Sequence, residues 1–76
     1  MQTNDTLQEQ FLRAVRRERC AVTVFLMNGF QLRGTVTGYD NYAVIVLSEG
    51  KQNMIYKHAI STISPASPIR LGGTEP

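Results

Sequence analysis

The part of the chain after Cys20 constrains the fold most, because it is rich in β-branched and aromatic residues and contains no proline before Pro65. Short turn signals divide it into runs that each have the length of a strand. No second run shows the apolar spacing that an amphipathic helix requires. The sequence therefore predicts five consecutive strands, near residues 21–27, 30–39, 42–48, 51–57 and 59–64.

Three short segments between these runs are typical of tight turns: Asn28-Gly29, Asp40-Asn41 and Ser48-Glu49-Gly50. Their residues tolerate positive φ or cap a turn with a side-chain oxygen. Gly34 and Gly38 interrupt the long second run, where glycine commonly marks a bulge or a sharp bend. This pattern favours a strongly bent, five-stranded antiparallel sheet that forms an open barrel.

One α-helix is predicted before the strands, from about residue 7 to residue 18. Thr6 and Glu9 have the spacing of a capping box, in which each side chain satisfies a backbone N–H group of the other residue. The apolar residues of this segment are expected on the side of the helix opposite its arginines; they are Leu7, Phe11, Leu12, Ala14 and Val15. The predicted class is mainly β with one N-terminal α-helix.

The small size of the chain makes its stability marginal without additional support, since a 76-residue domain buries a limited core. Cys20 is the single cysteine and His58 the single histidine, so one chain forms neither an internal disulfide nor a metal-ligand cluster of these residues. We therefore expect no metal and no cofactor. Self-assembly is the remaining source of additional stability. Head-to-tail pairing of sheet edges between copies would cover edges that are otherwise unpaired.

The expected organisation is a single domain of residues 6–65, between a disordered N-terminus (1–5) and a short disordered tail (66–76) that is rich in Pro, Gly and Ser. The N-terminus lacks an apolar core behind a basic start, and the longest apolar runs are too short to cross a bilayer. A soluble, cytoplasmic protein without a membrane partner is expected.

The distribution of charge says more than the formal net charge of +2. Four of the eight Lys and Arg residues lie in RAVRRER, residues 13–19. On a helix of about 100° per residue, Arg13, Arg16 and Arg17 fall within one sector. This cluster is either a solvated helix face or a patch that binds a polyanion.

An enzyme is the first function to consider, because Lys57 and His58 are adjacent and Ser61 is close in sequence. A hydrolase would need a base within reach of the nucleophile, whereas neighbours in a strand point to opposite faces. No two carboxylates have a spacing that suggests acid and base roles, and no phosphate-binding glycine loop or metal motif is present. A binding module is therefore favoured over an enzyme.

Three motifs resemble the bacterial Sm-like RNA chaperone family Hfq: NGFQLRG (28–34), GYDNY (38–42) and YKHAIS (56–61). LQEQFLRAVRRER (7–19) is similar to the N-terminal helix of that family, and NGFQLRG and SEGKQ are closest to its Gram-positive branch. The resemblance implies a homohexameric ring of Sm-like folds. It also implies a chaperone that binds U-rich and A-rich single-stranded RNA on opposite faces and promotes annealing of small RNAs to mRNAs in post-transcriptional regulation.

On the face that carries the helices, called proximal, the resemblance implies a U-rich RNA site around a central pore. Lys57 and an amide would donate to uracil carbonyls, an aromatic ring would stack on the base, and His58 would contact phosphate or ribose. The residues that match this site are Gln8, Asn41, Tyr42, Lys57 and His58.

On the opposite, distal face the resemblance implies an A-rich RNA site, where aromatic and aliphatic side chains sandwich adenine and polar neighbours read its edge. Asn53 stands where relatives commonly carry glutamine, so its shorter amide alters one adenine contact. The matching residues are Phe25, Gly29, Phe30, Gln31, Leu32, Arg33, Gln52, Asn53, Ser61 and Thr62.

On the rim the resemblance implies an arginine patch that contacts RNA phosphates, formed by Arg13, Arg16, Arg17 and Arg19. Three further residues are expected to be structural. These are Gly34 for strand curvature, Asp40 for capping a turn and Tyr56 for the subunit interface.

Other interpretations remain for the aromatic residues and for the whole domain. Tyr42 is also compatible with a core position, and Phe25 and Phe30 with packing around the Asn-Gly hairpin. A protein-interaction scaffold of the Sm or SH3-like type, without physiological RNA, is the main alternative function. A hydrolase that uses His58 and Ser61 is the other.

Overall fold

The computed structural model describes residues 6–71, which form one helix followed by a five-stranded sheet. The elements are α1 (Leu7–Arg17), β1 (Ala21–Leu26), β2 (Gln31–Tyr39), β3 (Ala43–Ser48), β4 (Lys51–Tyr56), a 3₁₀ helix (Lys57–Ala59) and β5 (Ile60–Pro65). The predicted class and element order are confirmed. Between residues 6 and 71, no helix is long and apolar enough to cross a membrane. The disorder predicted for residues 1–5 and 72–76 lies outside the described residues.

Both ends of α1 are capped, and the second cap is unusual. At the start, the Thr6 hydroxyl accepts a hydrogen bond of 3.1 Å from the backbone N–H of Glu9, as the capping box predicts. At the end, the backbone N–H of Cys20 donates to the carbonyl of Val15 over 3.0 Å. The backbone N–H of residue 19 donates to the carbonyl of residue 16 over 3.2 Å. This is a Schellman motif, whose left-handed position usually holds glycine. Here it holds Arg19, with φ of +53°.

The sheet is entirely antiparallel, with strand order β4-β3-β2-β1-β5. Its bend comes from two bulges, because one extra residue on a strand sharpens the local twist. Thr37 is the extra residue between Val36 and Gly38 on β2, and Ser61 is the extra residue on β5 opposite the end of β1. The bulge predicted at Gly38 is confirmed.

Gly34 lies where β2 and β3 approach each other closely. A Cβ atom at this position would collide with the carbonyl oxygen of Leu47. Any side chain would therefore push β3 away from β2. This close approach supports the structural role expected for Gly34.

The core lies between α1 and the inner face of the sheet. Its buried members are aliphatic, namely Leu12, Val15, Val22, Val24, Val36, Val44 and Val46. Ile69, within the predicted tail, packs against this cluster and is half-buried. The described part of the tail thus contributes apolar contacts to the domain.

The segment between β4 and β5 differs from the prediction. The sequence predicts strand through residue 57 and again from residue 59, whereas Lys57–Ala59 form one turn of 3₁₀ helix. The backbone N–H of Lys57 bonds to the carbonyl of Tyr42 over 2.7 Å, which is the last step of the pairing between β3 and β4, and the chain turns after it. The prediction that Lys57 belongs to a strand is therefore wrong, and strand alternation does not apply to Lys57 and His58.

Candidate nucleic-acid interface

Three residues that are distant in sequence meet on the helix side of the domain. Lys57, in the 3₁₀ helix, donates through Nζ to Oε1 of Gln8 in the first turn of α1, over 3.2 Å. The backbone bond from Lys57 to Tyr42 holds the third residue beside them. The Tyr42 side chain is 75% exposed, so it is not the core aromatic that the sequence also allowed. We call Gln8, Tyr42 and Lys57 the helix-side cluster.

Asp40 fixes the turn that presents Tyr42. Its Oδ1 accepts hydrogen bonds of 2.8 Å from the backbone N–H groups of both Tyr42 and Ala43. These two bonds stabilise the carboxylate and lower the pKa of Asp40 below its ordinary value of 3.8, and the charge of Lys57 acts in the same direction. Asp40 therefore caps the turn next to the helix-side cluster.

His58 and Asn41 lie close to this cluster in sequence and are both exposed. The His58 imidazole stacks on the ring of Tyr56, with 5.7 Å between ring centroids and 3° between the ring planes. Stacking holds the plane of the imidazole parallel to the Tyr56 ring, and the His58 side chain is exposed. Asn41 occupies the turn that Asp40 caps.

Five of the predicted distal residues share the face of the sheet that is turned away from the core. Directly opposite residues in antiparallel strands lie on the same face, and so do residues two apart in one strand. Phe25 is opposite both Gln31 and Thr62, and Arg33 follows Gln31 by two positions. Thr35 lies two positions beyond Arg33 on β2 and is opposite Leu47 on β3. Leu47 is in turn opposite Gln52 on β4. We call the surface of Phe25, Gln31, Arg33, Gln52 and Thr62 the outer face.

Gly29 and Phe30 form the turn at one end of the outer face. Gly29 has φ of +96°, and the Asn28 side chain accepts a hydrogen bond of 3.0 Å from the N–H of Phe30. The Phe30 side chain is 69% exposed. An aromatic ring presented to solvent by a capped turn is available for a partner, whereas hairpin packing would have covered it.

Three other predicted distal residues are placed differently. Leu32 is opposite the buried Val24 and packs against the core cluster. Asn53 donates its side-chain amide to the carbonyl of Lys51 over 3.2 Å, so the amide is turned back onto its own strand. Ser61, the extra residue of the β5 bulge, borders a groove on the helix side together with Gln8 and Lys57. Leu32, Asn53 and Ser61 therefore lie apart from the outer face.

The arginines of α1 lie at the edge of the domain. The Arg16 guanidinium lies over the ring of Tyr39, 5.6 Å from its centroid. Arg17 is mainly solvated and lies 3.5 Å from the carboxylate of Glu18. Arg13 is half-buried.

A depression of about 460 Å³ adjoins these arginines and is bordered by Arg16, Arg19, Thr35 and Thr37. We call it the rim depression. Tyr39 was missed by the sequence analysis as a partner of the arginine patch. Its position in GYDNY, next to a predicted turn, was the available signal.

The described residues thus form a bent five-stranded sheet with an N-terminal helix and carry cationic, amide and aromatic side chains on two sides. This is an Sm-like domain, and the comparisons with known proteins agree. The family model described as Hfq protein matches residues 7–70. The chain belongs to the Hfq family.

Two relatives named RNA-binding protein Hfq are similar over most of their length. The one from Alkaliphilus oremlandii (strain OhILAs) is 58% identical over 69 residues, which cover 91% of this chain and 86% of the relative. The one from Bacillus subtilis (strain 168) is 58% identical over 65 residues, or 86% of this chain and 89% of the relative. The predicted similarity to Gram-positive members is confirmed.

A solved crystal structure has the same fold. It is that of the pleiotropic translational regulator Hfq, with a TM-score of 0.76 and 46% sequence identity. The match covers 78% of this chain and 98% of that chain.

Proposed function

We propose that this chain is an RNA chaperone that binds U-rich and A-rich single-stranded RNA on opposite faces of a homohexameric ring. It promotes annealing of small RNAs to mRNAs and acts in the cytoplasm in post-transcriptional regulation. Membership of the Hfq family supports RNA binding, since the relatives from A. oremlandii and B. subtilis carry that name. Hfq is a family of RNA-binding proteins and not of enzymes, which argues against a hydrolase that uses His58 and Ser61.

The contact between Lys57 and Gln8 is the observation that carries this proposal. It gathers an ammonium group and an amide beside the exposed ring of Tyr42. Uracil offers carbonyl acceptors for these donors, and a base that stacks on an aromatic ring gains about 1–3 kcal/mol. The helix-side cluster thus has the groups needed to bind a uridine, with Asn41 and His58 at its margin.

The outer face has the composition expected of an adenine site. The ring of Phe30 is exposed and Phe25 is half-buried beside Gln31 and Thr62. Aromatic rings stack on a purine, and the amides of Gln31 and Gln52 supply the paired donor and acceptor that an adenine edge requires. Because Asn53 is turned back onto the carbonyl of Lys51, we assign edge reading to these two glutamines.

Assembly into a ring is supported by the two ends of the sheet. β4 and β5 are its edge strands, and each leaves one side of its backbone unpaired within the described chain. β4 carries Met54 and Tyr56, which are 57% and 50% exposed. Beside β5 lies an apolar groove of about 390 Å³ whose lining includes Phe11, Ile60 and Ile63. Pairing of β4 of one copy with β5 of the next would cover both edges and place apolar side chains near this groove.

The rim arginines Arg16, Arg17 and Arg19 supply a third contact with RNA, in addition to those on the two faces. Guanidinium groups pair with phosphate oxygens in two-point geometry, and contacts of this kind to two strands at once reduce the repulsion between them. Arg16, Arg17 and Arg19 are exposed, as such contacts require.

The test combines native mass spectrometry with titration of labelled U-rich and A-rich oligomers. We expect a hexamer. We also expect Lys57→Ala to weaken the U-rich oligomer while the A-rich one binds nearly as before, and Phe30→Ala to do the reverse. Equal losses for both oligomers in either variant would contradict the assignment of two faces. A protein scaffold without RNA would bind neither oligomer.

A further inference from the structure

The outer face continues beyond Phe25 as a row of hydroxyl groups centred on one arginine. Thr23 is directly opposite Arg33 on β2 and Ser64 on β5, so these three side chains share one level of the sheet. They lie on the same face as Phe25, which is two positions from Thr23, at a separation of about 6.8 Å along the strand. Arg33 and Ser64 are exposed, and Thr23 is half-buried.

The next level joins this row to the rim depression. Thr35 follows Arg33 by two positions and is opposite Ala21 on β1. It also borders the rim depression together with Arg16 and Arg19. The level of Phe25 lies four positions along β1 from that of Ala21, a span of about 13 Å. One strip of the outer face therefore leads from the aromatic end to the rim arginines.

The chemistry of this strip differs from that of its aromatic end. Thr23, Thr35 and Ser64 contribute hydroxyl groups and Arg33 a guanidinium, whereas none of the four offers a ring for a base to stack on. Hydroxyl and guanidinium donors match phosphate and ribose oxygens, which position a strand without reading its sequence. None of these four side chains is acidic, so an anionic backbone meets no like charge from them.

We propose that Thr23, Arg33, Ser64 and Thr35 form a track for the ribose-phosphate backbone, along which one RNA strand runs from the adenine site at the outer face to the rim. This inference rests on the proposed A-rich site, because that site is where the track begins. A strand carries one phosphate per about 3.4 Å when stacked and fewer when extended, so about four nucleotides at most cross the track. A single RNA thereby occupies the outer face and the rim together.

The experiment compares a short A-rich oligomer with the same oligomer extended, at either end, by a run of abasic ribose phosphates. Wild-type protein is expected to bind one of the two extended oligomers, the one whose extension runs toward the rim, more tightly than the oligomer without extension. In the double variant Thr23→Val with Ser64→Ala, the gain in affinity that the extension brings should fall by about two- to tenfold per hydroxyl removed. The A-rich oligomer without extension should bind equally to both proteins. Thr23→Ser keeps the hydroxyl and should keep the gain.

Salt dependence provides an independent measurement. For the extended oligomer, Arg33→Gln should reduce the slope of log affinity against log salt by about 0.7, the value for one phosphate contact on a single strand. An equal gain from the extension in the double variant and in wild type, or an unchanged slope in Arg33→Gln, would overturn the track. Failure of wild type to bind the A-rich oligomer without extension would instead refute the adenine site, and the track with it. A U-rich oligomer shows that each variant is folded.

Discussion

Lys57 and Gln8 are hydrogen-bonded over 3.2 Å although 49 positions separate them in the chain. The acceptor is Oε1 of Gln8, so the two N–H bonds of its amide remain directed away from the lysine. The contact therefore orients a second set of donors next to the ammonium group. Gln8 is exposed, and a hydrogen bond of this kind contributes only about 0.5–1.5 kcal/mol to stability.

The first prediction follows from this orientation of the amide. Gln8→Glu keeps an acceptor for Lys57 but replaces the outward donors by a carboxylate oxygen. We expect affinity for a U-rich oligomer to fall by about tenfold or more, since a uracil carbonyl would face an acceptor and a negative charge. The free energy of unfolding should change by less than about 0.5 kcal/mol. Fluorescence anisotropy and chemical denaturation measure the two quantities.

A control for added charge is Gln10→Glu, which places the same carboxylate on α1 outside the helix-side cluster. It should lower affinity for the U-rich oligomer much less than Gln8→Glu does. Equal losses in the two variants would mean that long-range repulsion, and not the lost donors, weakens binding.

The second prediction concerns the rim arginines. Replacing Arg16 and Arg17 together by Ala should slow annealing of two complementary RNA strands more than it weakens binding of either strand to a face. Neutralised phosphates lower the repulsion between two polyanions as they meet, and salt suppresses this effect with a slope of about −0.7 per contact. Stopped-flow annealing at several salt concentrations should show the gap between wild type and variant narrowing as salt increases.

Arg70→Ala is a control for the second prediction, because it removes one exposed arginine outside α1. Its annealing rate should stay near that of wild type. An unchanged annealing rate in the Arg16 and Arg17 double variant at low salt would show that these arginines form only a solvated helix face and do not contact RNA.

Much of the fold could be predicted because it depends on local patterns. Apolar spacing and a Thr6 cap define the helix, and turn residues separate the strands. Alternation within β2 also places Gln31, Arg33 and Thr35 on one face once the strand is known. These features require only information from neighbouring positions.

The remaining features depend on contacts between distant parts of the chain. The 3₁₀ turn at Lys57–Ala59 begins where the pairing of β3 with β4 ends, at Tyr42 and Lys57, and no local pattern in the sequence marks that end. The contact of Arg16 with Tyr39 likewise joins the helix to the end of β2. The bulge at Ser61 shifts the register by one residue, which moved this side chain to a side that simple alternation does not predict.

The third prediction concerns Arg19, which occupies a left-handed position with φ of +53°. Glycine adopts this conformation without the steric cost that a Cβ atom brings, so Arg19→Gly should raise the free energy of unfolding by about 0.5–1 kcal/mol. Arg19→Ala keeps the Cβ and should not raise it. Denaturation midpoints at one protein concentration compare the variants, because assembly makes stability depend on concentration. Both variants should anneal RNA more slowly, since both lack the guanidinium.

A gain of stability in Arg19→Ala equal to that in Arg19→Gly would show that the charge, and not the backbone conformation, is what destabilises wild type. Four arginines lie within residues 13–19, so repulsion among them is the competing cause. Raising the salt concentration separates the two. Salt screens repulsion and leaves a steric cost unchanged.

The fourth prediction concerns pH and Asp40. Its pKa in the folded protein is lowered from 3.8 because the carboxylate accepts bonds from the backbone N–H groups of Tyr42 and Ala43. A group whose folded pKa is lowered stabilises the protein above its unfolded pKa, and this contribution is lost as pH falls through the folded pKa. Asp40→Ala lacks the acceptor at every pH. We therefore expect wild type to exceed Asp40→Ala in stability near neutral pH, and the difference to shrink below about pH 4. Denaturation between about pH 3 and about pH 7 measures it, and a difference that is constant or grows toward acid would show that the carboxylate bonds do not stabilise this turn.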